Sequence, residues 1–158
     1  MLKVNENTYI TVAEADELIA LYVEKYNPLR SFWEALDETE KEKYLLRSVE
    51  EMERLIISGS KTMRRQNLSF PRYPSLTVPN EIKLAQAYNA LGVLNNDIKS
   101  AAETMKKLCE RYAVLLVVNS AENAPISNDK PLSSRFTLAS NNAAKIVAKY
   151  ACGGFRMR

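Results

Sequence analysis

Three prolines crowd into the nine positions from Pro71 to Pro79. Each fixes its own φ and biases the residue before it away from the helical region, so no regular helix can run through this stretch. The wider segment 58–79, SGSKTMRRQNLSFPRYPSLTVP, has no helical stripe and reads as a long ordered loop or a pair of short extended pieces. Helical signals lie on both sides of it. The 158 residues, 46% of them apolar, suffice for one buried core.

Before the loop, Thr11 with Glu14 forms a capping box, followed by a stripe of Ala15, Leu18, Ile19, Tyr22, Val23 and Tyr26, with Pro28 as the stop. Asp16 and Glu17 fall off the stripe toward solvent. Ser31 with Glu34 predicts a second box, opening a short turn whose Phe32, Trp33 and Leu36 plug the core. Asp37 and Thr39 start a longer acidic helix with Leu45, Val49, Met52 and Ile56 inward and Gly59 as its C-terminal cap. Its other face, Glu40, Glu42, Glu50, Glu51 and Glu53, reads as a solvated surface.

After the loop, Pro79 or Asn80 opens a helix whose Ile82, Ala85, Ala87, Ala90 and Val93 are mostly small, so a neighbour can approach closely. Ser100 with Glu103 predicts a separate fourth helix through Ala102, Met105, Cys109 and Tyr112. Its continuation, 113–118, fits strand or helix end. Residues 119–134 read as a polar loop, and a last helix runs from Asn141 to Tyr150. The fold class is therefore mainly α: a small bundle of four to five helices with a long basic Pro-containing loop, room for short strands, and an extended C-terminal tail. Residues 1–150 form one domain and 151–158 a tail.

Two absences narrow the chemistry. The chain has no histidine, which excludes Ser-His-Asp and Cys-His nucleophile systems and His-ligated zinc. The cysteines, Cys109 and Cys152, form no CxxC pair, and the glycines at 59, 92, 153 and 154 write neither a dinucleotide fingerprint nor a P-loop. The sequence therefore reads as a non-enzyme with no cofactor and no metal site. No apolar run approaches a membrane span, and the N-terminus lacks a signal-peptide core.

Charge is divided along the chain. Residues 1–60 hold 13 Asp/Glu against 7 Lys/Arg, and the remainder 6 against 15. Between Glu53 and Glu81 stand Arg54, Lys61, Arg64, Arg65 and Arg72 with no acid; beyond Asp129 stand Lys130, Arg135, Lys145, Lys149, Arg156 and Arg158 with none. Such stretches meet acidic partners or nucleic acid, or are solvated faces. In the loop, Phe70 and Tyr73 interleave with Arg72, the composition of a single-strand-binding surface or of a loop anchored on the helices. The tail Gly153, Gly154, Phe155, Arg156, Met157, Arg158 alternates apolar and basic residues and is a docking-peptide candidate.

The order of these signals is familiar. NTYITVAEADELI, then FWEAL and an acidic helix, then QNLSFPR (66–72), VPNEIKLAQAYNAL (78–91) and the closing YACGGFRMR resemble the head-tail connector adaptor proteins of tailed bacteriophages. Some relatives of that family are labelled DnaT-like single-stranded-DNA-binding proteins. The resemblance covers 7–94 and 140–158; Phe70 stands where the family usually has Trp, and 98–139 is an unmatched insertion. It implies a structural virion protein, made in the host cytoplasm and placed at the portal vertex or neck. Its copies would form a ring, by analogy roughly twelve, linking the DNA-filled capsid to the next tail or neck protein. The tail 153–158 would dock the portal, with Phe155 as anchor. The loop residues Lys61, Arg64, Arg65, Phe70, Arg72 and Tyr73 would contact either the portal or the packaged DNA passing through the lumen. The alternative is a single-stranded-DNA-binding protein using loop 61–73, with no membrane partner on either reading.

Overall fold

The computed structural model describes residues 1–55, 57–118 and 139–150, with side chains from 112 to 118 outside that description. Five helices are present among the described residues: α1 (Val12–Tyr22), α2 (Pro28–Ala35), α3 (Glu38–Glu53), α4 (Asn80–Val118) and α5 (Asn141–Ala148). Isolated bridges pair Val4 with Thr8 and Lys61 with Arg72, and Ile57 also holds a bridge position. The mainly helical reading holds. The chain divides into two compact units, Met1–Asn95 with Phe136–Arg158, and Asn96–Arg135.

The first helix forms as its capping box dictates. Thr11 Oγ1 accepts from the Glu14 N–H at 3.1 Å, and Glu14 Oε2 accepts from the Thr11 N–H at 2.9 Å. Ala15, Ile19 and Val23 are buried, whereas Tyr22 and Tyr26 stand in solvent; the helix ends at Tyr22, so Tyr26 is not part of it. Its last carbonyls are met by Arg30, whose guanidinium donates to the carbonyls of Ala20 and Val23 at 3.0 and 3.1 Å.

Pro28 does not stop α1; it opens α2. It occupies the first turn, where its missing N–H costs nothing, and Asn27 is the cap, accepting from the Leu29 N–H at 3.0 Å. Ser31 therefore lies inside the helix, and Glu34 pairs with Arg30 at 2.8 Å instead of closing a box. Trp33 alone plugs the core, at 1% exposure, while Phe32 faces solvent. The indole N–H donates to Asp16 at 2.7 Å, and Lys41 bonds the same carboxylate at 3.0 Å while lying 5.8 Å over the indole ring. Asp16, its side chain still 42% exposed, thus joins three helices from the solvent side.

Asp37 caps α3, accepting from the Glu40 N–H at 2.6 Å. Leu45, Val49 and Met52 are buried as their spacing predicts; Ile56 lies outside the described residues. Gly59 is not the cap of α3, which closes five residues earlier at Arg54; its φ of 85° instead shapes the loop that follows.

No second capping box divides α4, which is one helix of 39 residues. A cap requires extended backbone, and nothing between Leu94 and Ser100 breaks the helix: Gly92 is the last glycine and Pro79 the last proline before it. Ser100 uses its carbonyl within the helix, accepting from Thr104 Oγ1 at 2.8 Å. Residues 113–118 are helical. The small inward residues of its first half, Ala85, Ala87 and Ala90, are buried with Ile82 and Val93. At Gly92 the approach is closest: a Cβ there would meet the backbone of Ala139 and Ser140 at 2.6 Å. Ser140 then caps α5, which buries Ala143 and Val147. The polar segment 119–134 and the tail 153–158 lie outside the described residues.

Candidate interaction surface

The basic loop is held by its own backbone. Lys61 Nζ donates to the carbonyls of Gln66 and Asn67, each at 3.1 Å, and Gln66 Nε2 donates to the carbonyls of Leu68 and Pro71 at 2.8 and 3.0 Å. Arg72 donates to the carbonyls of Ser58, at 2.9 Å, and Gly59. Its guanidinium carbon lies 6.0 Å from the Phe70 ring centroid. The peptide bonds before Pro71 and Pro74 are cis.

Phe70 is a core residue, 2% exposed, with its ring edge-on to Tyr9 at 6.1 Å and to Tyr150 at 5.2 Å. Its neighbour Ser69 clamps the loop to α3: the Ser69 N–H and hydroxyl both donate to the Glu53 carboxylate, at 3.0 and 2.8 Å, and the Tyr9 hydroxyl donates to it as well. Burial, reinforced by that carboxylate, pushes the Tyr9 hydroxyl far above its ordinary value. Glu53, read from sequence as part of a solvated face, is instead the tie between α3 and the loop. The signal was its spacing, four residues after Val49 on the buried stripe.

The six loop residues therefore do not form one surface. Phe70 is inside, Arg72 and Lys61 are tied to loop carbonyls, and Arg64, Arg65 and Tyr73 face solvent, Tyr73 at 74% exposure. Met63 and Leu76 are exposed beside them.

A second feature had no sequence forecast. Between α1 and the first turns of α4 lies a groove of about 370 Å³ with Leu18, Leu21, Tyr22 and Leu84 along it and Glu14, Glu17 and Glu81 at its margins. Lys83 bridges it, bonding Glu14 at 2.8 Å. That ammonium, together with the Thr11 N–H, holds the Glu14 carboxyl below its ordinary value. At the far margin Glu81 accepts from Lys149 Nζ at 3.3 Å and from the Tyr150 hydroxyl at 3.1 Å, so the end of α5 is fastened to the groove. Partial burial, then Glu81, raises the Tyr150 hydroxyl.

Two buried amides complete the scaffold. Gln86 accepts from the Tyr9 N–H at 3.0 Å and donates to Thr8 Oγ1 at 2.8 Å; Asn89 donates to Glu51 at 2.9 Å and accepts from the Ser140 N–H at 3.2 Å. Both are fully buried on the small-residue face of α4, where sequence patterning marks only apolar positions. Among the described residues no cluster of His, Cys, Asp and Glu could hold a metal ion, and no described helix is long and apolar enough to cross a membrane.

These features define a helical protein with an ordered, exposed basic loop and an acidic-rimmed apolar groove. The chain belongs to the family described as "Putative DnaT-like ssDNA binding protein", whose model matches residues 2–149. Nothing among curated proteins or solved structures matches it.

Proposed function

We propose that this protein is a structural adaptor of a tailed-bacteriophage head-tail connector, assembling as a ring beneath the portal vertex and seating the next tail or neck protein. The observation that carries this reading is the amount of large apolar surface left in water beside a closed core. Leu21 is 74% exposed and Tyr26 93%, and on α4 Met105 and Leu108, three residues apart on one helix face, are 64% and 42% exposed. Two exposed apolar side chains on one helix face, as at Met105 and Leu108, suit a protein contact. The division of charge between an acidic N-terminal part and a basic remainder suits the unlike faces that a head-to-tail ring interface requires. On this reading the protein is not an enzyme, needs no cofactor, and acts at the virion neck, with the segment 153–158 engaging the portal.

A second reading, binding of single-stranded DNA through loop 61–73, is favoured by the family description, which by itself speaks for DNA more than for a connector. Arg64, Arg65 and Tyr73 supply two exposed cations and one ring that a base could stack on. What weighs against it is that Phe70 and Arg72, the central pair of the supposed surface, serve the fold.

The test is incubation of purified protein with DNA-filled, tailless heads, followed by sedimentation and imaging of the portal vertex. Ring density there supports the adaptor. Absence of attachment, with salt-sensitive retention of single-stranded DNA, would give the function to the second reading.

A further inference from the structure

The far half of α4, within the second compact unit, carries a heptad pattern on a face that lies in water. Ile98, Ala101, Met105 and Leu108 recur at spacings of three, four and three, the a and d positions of a coiled-coil seam, and Tyr112 and Leu115 continue the pattern in the sequence. Every residue from 101 to 111 is exposed, Met105 at 64% and Leu108 at 42%. A helical segment left in water is marginal, because helices in proteins draw most of their stability from packing an apolar face.

Two features select a second copy of the same helix, running antiparallel, as the partner. The first is side-chain size. In an antiparallel pair each a position meets a d position of the other helix, and a two-fold axis level with Glu103, the midpoint of the stripe 98–108, sets Ile98 against Leu108 of the second copy and Met105 against its Ala101. A flexible methionine then fills the space beside each alanine, whereas a parallel pair would stack alanine on alanine at 101. The second feature is charge. The same axis places Asp97 opposite Arg111 of the second copy, twice over by symmetry, with Ala102 facing Ala102 and Thr104 facing Thr104. A shift of one heptad either way sets Arg111 or Asp97 opposite Thr104 instead, and a parallel pair gives neither charge an opposite one. Complementary charge of this kind fixes register more than it adds affinity.

We propose that the far half of α4 is a self-association surface, on which residues 97–111 of two copies pair antiparallel about a two-fold axis level with Glu103. The pairing covers Met105 and Leu108 of both copies and makes the free chain a dimer. Such a contact uses the same patch on each copy and closes at two, so it differs in kind from a head-to-tail ring interface and stands whether or not the copies also form a ring.

The experiment is sedimentation equilibrium of the full-length chain over a concentration series, where a monomer–dimer equilibrium is expected. Met105→Glu should weaken it by about tenfold or more, since the pairing would bury a carboxylate, and Arg111→Glu should weaken it several-fold; both positions are exposed, so the fold is spared. Register is read by cross-linking in a chain carrying Cys109→Ser and Cys152→Ser: a short bismaleimide should join two copies through Ala102→Cys, at the axis, and not through Lys106→Cys, on the outward side. A monomer at every concentration, which is also the result if another part of the same chain covers the stripe, would overturn the proposal. So would self-association that survives Met105→Glu, or cross-linking at Lys106→Cys that equals or exceeds that at Ala102→Cys. Attachment to heads is read separately, so its loss with the dimer intact counts against the adaptor and not against this surface.

Discussion

At Gly92 two opposing magnitudes decide the outcome of a single methyl group. Alanine in a helix interior is favoured over glycine by about 1 kcal/mol. Here, however, the added Cβ would lie 2.6 Å from the backbone of Ala139 and Ser140, which cannot swing aside as a side chain can. Overpacking of that kind costs about 1–3 kcal/mol and wins over the propensity gain. Gly92→Ala should therefore lower the melting temperature, with the docking of α5 lost first. An unchanged or raised Tm would mean that the α5 cap does not press on α4. The Tyr9 hydroxyl gives a second residue-scale prediction. Its neutral form is favoured in the fold, so its folded pKa lies above the unfolded value of 10.0. The unfolded chain then releases this proton first, and the contribution, present below pH 10, is lost as pH rises beyond it. Tyr9→Phe should cost about 1–2 kcal/mol near neutrality, because Glu53 loses a donor, and should make the alkaline decline of Tm shallower. An alkaline profile parallel to that of the original chain would show that Tyr9 does not govern it.

At the scale of elements, what could be read in the sequence was whatever is encoded locally. The Thr11–Glu14 box, the buried stripe of α3, the non-helical stretch around Pro71 and Pro74, and the small face of α4 all appear where spacing puts them. Capping patterns that depend on what the flanking backbone does were misleading. Ser31–Glu34 and Ser100–Glu103 have the right residues at the right spacing, yet each sits within a continuing helix, because a box needs an extended residue at its start and neither site interrupts the helix. The interior ties are not encoded locally. Gln86 and Asn89 are polar groups whose burial depends on partners as many as 78 residues away, which no local pattern shows. The loop is open in the sequence for the same reason: its composition fits a single-strand-binding surface or an anchor on the helices, and the rings of Tyr9 and Tyr150 against Phe70 decide for the anchor. The continuity of α4 is directly testable. Were Ser100 a cap, Ala101 would be a first-turn position that accepts proline; inside a continuous helix Ala101→Pro costs about 3 kcal/mol. The substitution should reduce helical circular dichroism and stability, and full tolerance would restore the break at Ser100.

At the scale of the whole molecule the issue is whether the exposed basic loop suffices for a nucleic-acid function. Single-strand affinity grows with the number of phosphates neutralised, and each contributes a salt slope of about −0.7. Arg64 and Arg65 are the loop cations that the fold does not employ, so a loop site predicts a slope of about −1.4, too shallow for a protein whose main work is to hold single strands. Measured on an oligothymidylate across a salt series, weak binding with that slope, abolished in the Arg64→Ala, Arg65→Ala double variant, is the expected result. The double variant should still assemble and attach to heads if the loop is incidental to the ring, since neither arginine has a described contact within the fold. A steeper slope, about −3 or beyond, that survives the double substitution would place the phosphate contacts elsewhere on the basic part of the chain and give DNA binding the stronger claim. Lost attachment with unchanged DNA binding would instead assign Arg64 and Arg65 to the portal, where two cations need only meet carboxylates on a fixed protein surface rather than track a flexible strand.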